Sequence, residues 1–142
     1  MKLIIAGSRG FEDFDSLERS VLVFLKKHRE TGEPVEIVSG RARGVDRLGE
    51  RFAERYGLKI IKMPADWDQY GKSAGYRRNS EMAEIATHCI IFWDGRSKGS
   101  KHMADLAEKK GLCYEVVDTV EFEEITLTVE AEKHEFYPYT NP

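Results

Sequence analysis

The sequence predicts an α/β fold, doubly wound, with a mainly parallel sheet of about five strands and helices on both faces. Two observations carry that prediction. Short apolar runs alternate with amphipathic stretches of helical spacing from Lys2 to Val117. Gly-rich segments close several of those runs and lead into the next helical stretch, the punctuation expected of strand–loop–helix units.

Lys2–Ala6 is a short apolar run stopped by Gly7 and reads as the first strand. Asp15 or Ser16 then caps a helix with apolar positions Leu17, Val21, Phe24 and Leu25, ending near Arg29 before Gly32 and Pro34. Val35–Val38 is the second strand. Val45, Leu48, Phe52 and Tyr56 carry helical spacing, with Gly57 as the C-terminal stop. Leu58–Met63 is the third strand, followed by an aromatic-rich loop from Pro64 to Gly71. A helix over Ala74–Thr87, a strand at Cys89–Trp93, a helix over Ser100–Lys110 and a strand at Leu112–Val117 complete the pattern. Beyond it, Ile125–Glu130 alternates apolar and polar residues, which suits a half-exposed edge strand or pairing with another subunit. Phe136–Tyr139 reads as either a packed arm or a disordered end.

A chain of 142 residues has the size of one domain. No apolar run approaches the roughly 18–20 residues that span a bilayer, and the first residues carry no secretory pattern, so no membrane association and a cytoplasmic location are expected. Without an oxidising compartment, Cys89 and Cys113 read as buried thiols. The four histidines share no ligand spacing with them, so no metal and no cofactor is expected.

A net charge of −3 argues against a general nucleic-acid binder. The cations are nevertheless gathered: Arg41, Arg43 and Arg47; Lys72, Arg77 and Arg78; Arg96, Lys98 and Lys101. Each group lies beside small residues in a loop, which points to a local anion site.

Open parallel sheets bind ligands beyond the carboxyl ends of their strands. Three such ends are Gly-rich here: Gly7-Ser8-Arg9-Gly10, Ser39-Gly40-Arg41-Ala42-Arg43-Gly44-Val45-Asp46, and Asp94-Gly95-Arg96-Ser97-Lys98-Gly99-Ser100. Glycine lets the backbone approach a ligand, the following helix start offers unpaired N–H groups, and Ser, Arg and Lys add donors. Neither the P-loop spacing nor Gly-x-Gly-x-x-Gly occurs, so these loops support no standard dinucleotide oxidoreductase.

Other candidates surround these loops. Arg78 is the best phosphate clamp, or else one half of a surface ion pair, with Asn79 beside it. Trp67 and Tyr70 could stack on a base or pack over the sheet edge, whereas Trp93 ends a strand and reads as core. Asp46 suits either a ligand or the first turn of a helix. Asp94 could bond a ribose hydroxyl or cap the next turn, and Asp66 could hold a base edge or fix its loop.

Six motifs in order carry a family resemblance: Gly7-Ser8-Arg9 with Phe11; Ser39-Gly40-x-Ala42-x-Gly44-x-Asp46; Pro64-Ala65-Asp66-Trp67; Tyr70-Gly71-x-x-Ala74-Gly75; Arg78-Asn79-x-x-Met82; and Phe92-Trp93-Asp94-Gly95-x-Ser97-Lys98-Gly99-Ser100. Over residues 2–117 the chain resembles the SLOG superfamily and, within it, the YspA-related branch common in bacteria and phages. The resemblance implies a Rossmann-like domain over residues 1–118 that binds nucleotides or nucleotide-derived molecules. Residues 119–142 are expected as a C-terminal strand and arm that could serve subunit contact, and a homo-oligomer, dimer or tetramer, is implied. It also widens the cytoplasmic expectation to that of a bacterium, or of its host if phage-encoded.

Relatives include LOG-type phosphoribohydrolases, DNA processing protein A and sensors of NAD-derived signals. LOG enzymes carry Arg-Lys-x-x-Met, matched by Arg78-Asn79-x-x-Met82, and then a Gly-rich motif with a catalytic Glu. Met103 stands at the position of that Glu, and a thioether moves no proton. The departure leans against an enzyme.

The expected function is therefore capture of a nucleotide-derived ligand, of ADP-ribose, NAD-derived or cyclic nucleotide type, by a sensor or a sequestering protein. The expected contacts are Gly7, Ser8, Arg9, Ser39, Gly40, Arg41, Ala42, Arg43, Gly44, Asp46, Asp66, Trp67, Tyr70, Lys72, Arg78, Asn79, Asp94, Gly95, Ser97, Lys98, Gly99 and Ser100. One alternative is an N-glycosidase using Asp94, Asp46 or Asp66. The other is single-stranded DNA binding, against which the acidic composition weighs.

Overall fold

A computed structural model describes residues 1–120. The expected edge strand at 125–130 and the arm at 136–139 lie outside the described residues. Five strands form one parallel sheet in the order β3-β2-β1-β4-β5: β1 Lys2–Gly7, β2 Glu36–Ser39, β3 Lys59–Lys62, β4 His88–Trp93 and β5 Cys113–Asp118. Helices α1 (Phe14–His28), α2 (Val45–Arg55), α3 (Trp67–Tyr70), α4 (Ala74–Ile85) and α5 (Lys98–Lys109) alternate with them. The doubly wound α/β expectation is met. Among the described residues no helix is long and apolar enough to cross a membrane.

The two-residue period of the strands divides the core. Leu3, Ile5, Ile37, Ile90 and Phe92 pack with Leu17, Val21 and Phe24 of α1 and Phe52 of α2. Ile4, Ala6, Val38, Cys89 and Ile91 pack on the other face with Met82 of α4 and Met103 of α5. Both faces of β1 are thus covered, which is why its apolar run has no polar interruption. Glu18 of α1 accepts an ion pair from Arg55 Nε at 3.1 Å and a hydrogen bond from Tyr56 at 3.0 Å, joining α1 to the end of α2.

Three local expectations are corrected. The cap of α1 is Asp13, whose carboxylate accepts from Ser16 N at 3.1 Å and Ser16 Oγ at 2.6 Å, so Ser16 is a donor to the cap. The aromatic loop contains the helical turn α3, capped by Asp66, and runs through a 3₁₀ turn at Gly71–Ser73 into α4. Cys113 is half-buried, unlike Cys89, and its Sγ lies 3.4 Å from His28 Nδ1.

Candidate functional site

The chain order places β4 beside β1, so the loops leaving these two neighbours run to opposite faces of the sheet. A crevice opens at such a switch point. Here it is a cavity of about 420 Å³, within the usual range for small-ligand sites.

Ser8 builds its rim. Its N–H donates to the Phe92 carbonyl at 3.0 Å, its carbonyl accepts from Val45 N at 3.3 Å, and its Oγ accepts from Asp94 N at 3.3 Å. One residue therefore fixes the β1 loop against β4 and the start of α2. Gly44 is required at that junction. Its φ is +79°, and a Cβ would meet the carbonyls of Ser8 and Arg9.

The start of α5 forms a second wall. Ser97 accepts from Ser100 N at 3.3 Å and from Ser100 Oγ at 3.0 Å, and Lys101 N donates to the Ser97 carbonyl at 3.2 Å. The first amides of a helix have no intrahelical acceptor, which leaves those of Lys98 and Gly99 available to an anion. Asp94 shapes this turn by accepting from Arg96 N at 2.8 Å and Ser97 N at 2.9 Å. Those two amides hold its carboxyl below the usual carboxylate range.

The remaining walls come from α2, α3 and α4. Asp46 is buried and accepts from Ala42 N at 3.1 Å. Burial pushes its pKa up to about 6, with the Arg78 guanidinium opposing the rise. Arg78 donates Nη1 to the Gly40 carbonyl and Nε to Asn79 Oδ1 at 3.0 Å. Burial lowers its own pKa, and the neighbouring Asp46 counters that. Asn79 Nδ2 donates to the Gly99 carbonyl at 3.4 Å, linking α4 to the start of α5. Met82 and Met103 form an apolar floor, and Trp67 and Tyr76 supply exposed aromatic rings.

Of the expected contacts, Gly7, Ser8, Arg9, Ala42, Asp46, Trp67, Lys72, Arg78, Asn79, Asp94, Ser97, Gly99 and Ser100 line this cavity. The others do not. Ser39 is fully buried and donates to Glu50 Oε2 at 2.6 Å. Gly40, Arg41 and Arg43 line a neighbouring groove of about 690 Å³, together with Arg47. Arg41 is ion-paired with Glu50. Gly44 is the junction residue already described, and Gly95, at φ +81°, serves the turn after β4. Lys98 opens α5 without lining the cavity.

Asp66 caps α3 through Gln69 N at 3.1 Å, so it fixes its own turn. Tyr70 lies outside, its ring 4.4 Å from the Arg77 guanidinium. Arg78, expected as a phosphate clamp or one half of a surface ion pair, lines the cavity with Nη1 on the Gly40 carbonyl and Nε on Asn79 Oδ1. Gly10, Gly75, Tyr76, Met82 and Met103 line the cavity without having been expected as contacts. Tyr76 carried a readable signal: it is an aromatic one residue from the Arg77-Arg78 pair on the same helix.

Residues 1–70 match the YspA, cpYpsA-related SLOG family. The chain is 34% identical over 117 residues to the Gene 61 protein of Mycobacterium phage D29, covering 78% of this chain and 91% of that protein. Its fold is similar to that of DNA processing protein A from Streptococcus pneumoniae, with a TM-score of 0.64 at 19% identity. That match takes in 94% of this chain but spans only 56% of the length of the streptococcal protein. The Helicobacter pylori DNA processing protein A is also similar, with a TM-score of 0.54 and 19% identity over 96% of this chain and 82% of that one.

The Helicobacter protein is described by its single-stranded DNA binding mode. This corrects the expectation that set nucleic acid aside. Net charge was the wrong quantity, because a chain of net charge −3 still gathers Arg9, Arg41, Arg43, Arg47 and Arg78 along one groove. With the phage relative matched over most of its length and the family matched from the first residue, the chain belongs to the YspA, cpYpsA-related SLOG family.

Proposed function

We propose that this protein binds a nucleotide or nucleotide-derived phosphate ligand in the cavity between the β1 and β4 loops and releases it intact. The observation that carries the reading is the meeting of three features in one cavity: the start of α5 at Gly99 and Ser100, a Gly-rich loop, and exposed aromatic rings. A phosphate suits the start of α5 and the Arg9-Gly10 loop, with Lys72 adding charge. A base suits the faces of Trp67 and Tyr76. ADP-ribose, NAD-derived molecules and cyclic nucleotides all offer this combination.

Binding without turnover follows from what the acids do. Among the described residues, the cavity is lined by two carboxylates, Asp46 and Asp94. Asp94 is held by two backbone amides, and Asp46 is buried against Arg78 and the Ala42 amide. Met103 supplies an apolar surface where the related hydrolases carry a glutamate. Capture of this kind serves a sensor or a sequestering protein.

The test is a thermal-shift screen with AMP, NAD, ADP-ribose and cyclic nucleotides, each ligand then recovered and chromatographed. Ligand at about 100 times its dissociation constant adds about 2.7 kcal/mol of stability. A shift with intact ligand supports the reading. Release of free base or ribose phosphate assigns an N-glycosidase instead, and no shift with any ligand rejects the nucleotide site.

A further inference from the structure

The groove beside the cavity carries charge that a single bound phosphate leaves unused. Arg9, Arg41, Arg43, Arg47 and Arg78 line it, and among the described residues no acidic side chain does. Two of these cations are committed, Arg41 to Glu50 and Arg78 to the Gly40 carbonyl and Asn79. Among the described residues Arg47 donates only Nε, to the Arg41 carbonyl at 3.1 Å. Arg43 is exposed and makes no hydrogen bond or ion pair among the described residues. Like charges gathered in one groove repel one another, and an anion between them removes that cost.

The backbone is bent to hold this arrangement. Among the described residues, Arg41 alone of the non-glycines has a left-handed φ, at +66°. That conformation is uncommon for a side chain of this kind and persists where its surroundings impose it. Ser39 Oγ, accepting from Arg41 N at 3.1 Å, and the Glu50 ion pair impose it here. The carbonyl of the same strained residue then orients Arg47.

Cavity and groove share one ridge. Trp67 is half exposed and lines both, as do Arg9 and Arg78, and the Arg9 guanidinium lies 6.0 Å from the centre of the Trp67 ring. A ligand filling the cavity therefore continues past an aromatic face into a cationic channel. An aromatic face beside phosphate-binding charge is the surface that suits a nucleotide chain.

We propose that the groove is a second phosphate subsite and that the ligand is a phosphodiester-linked dinucleotide unit. One nucleotide occupies the cavity, and the adjoining phosphate meets Arg43 and Arg47 beyond Trp67. This inference rests on the nucleotide reading above. The unit has two sources, a free dinucleotide or a single strand, and one experiment separates them.

Calorimetric titrations of the wild type and the R43A/R47A double variant with AMP, the 5′-phosphorylated dinucleotide pApA and a 15-residue oligodeoxyadenylate test it. The wild type is expected to bind pApA about tenfold to a hundredfold more tightly than AMP, the gain of one charge-assisted phosphate contact. Both altered side chains are exposed and lie outside the cavity, so the double variant should lose this preference while AMP affinity stays within about twofold. An oligomer bound at least as tightly as pApA, with strong salt dependence, assigns the strand, and a weaker one assigns the free dinucleotide. Equal affinity for AMP and pApA, or a preference that survives R43A/R47A, overturns the second subsite and leaves the first intact. Failure of the wild type to bind either small ligand rejects the nucleotide reading itself.

Discussion

The Arg78 guanidinium and the Asp46 carboxyl meet over Gly40, where a Cβ would stand 2.6 Å from Arg78 Nη1 and 2.8 Å from Asp46 Oδ2. Only a residue without a side chain lets these two groups approach while Arg78 holds the Gly40 carbonyl. Both atoms are ends of side chains, so Gly40→Ala should move Arg78 and Asp46 at a cost of about 1 kcal/mol and weaken ligand binding more than folding. At Gly44 the obstruction is backbone and φ is +79°, so Gly44→Ala should cost more, about 2–3 kcal/mol. Chemical denaturation of the two variants checks that order.

Asp46 makes stability depend on pH. Its folded pKa of about 6 lies above the ordinary 3.8, so the folded state holds its proton more tightly than the unfolded state does. The stabilisation is complete below about pH 4 and is lost as pH rises through about 6, an effect on the order of 2–3 kcal/mol. Asp46→Asn keeps an acceptor for the Ala42 amide and removes the charge. Its unfolding free energy should change less than that of the wild type between pH 4 and 7.

The same carboxyl bears on binding. An anion entering the cavity favours neutral Asp46, so binding near neutral pH should take up a proton. Titrations in buffers of different ionisation enthalpy detect that uptake. A phosphodiester ligand is the right probe, since a phosphomonoester titrates near pH 6 itself. Asp46→Asn should abolish the uptake.

Trp67 is 50% exposed, so its removal costs the fold little. Trp67→Ala should leave the melting temperature nearly unchanged and weaken nucleotide binding by about 1–3 kcal/mol, the usual value of one base stack. A large fall in melting temperature would assign the ring to packing instead.

Ser97 serves both the fold and the site. Ser97→Ala removes the cap of α5 and should cost about 1 kcal/mol, lowering the melting temperature by about 3–6 °C. Ser97→Asp supplies a capping oxygen but adds negative charge at the cavity wall. It should recover stability while weakening phosphate binding.

The parts of this structure that depend on neighbouring residues were readable in the sequence. The β1 and β4 strands, the loops at Gly7–Gly10 and Asp94–Ser100, and the stop at Gly57 rest on local patterns, whereas the Ser97 cap starts α5 two residues before the expected Ser100. Asp13, Asp15 and Ser16 are all able to cap a helix, and side-chain reach alone chose Asp13. Helix α3 spans four residues, too few for a helical period to register.

The cavity floor depends on pairings between distant elements. Met82 and Met103 belong to different helices and meet only because β4 pairs with β1, which no local pattern states. Arg78 and Gly40 lie 38 residues apart, so a free cation and one bound to a carbonyl read alike in the sequence. Likewise, total charge conceals a cluster assembled from Arg9, Arg41, Arg43, Arg47 and Arg78 by folding.

If a nucleotide sits between the β1 and β4 loops, amide chemical-shift mapping during an AMP titration locates it directly. Saturable changes are expected at Arg9, Gly10, Gly99 and Ser100, with Glu33, Gly111 and Cys113 at the opposite end of the sheet unmoved. Saturating changes confined to the opposite end, or none at any amide, would rule out a nucleotide site between these loops.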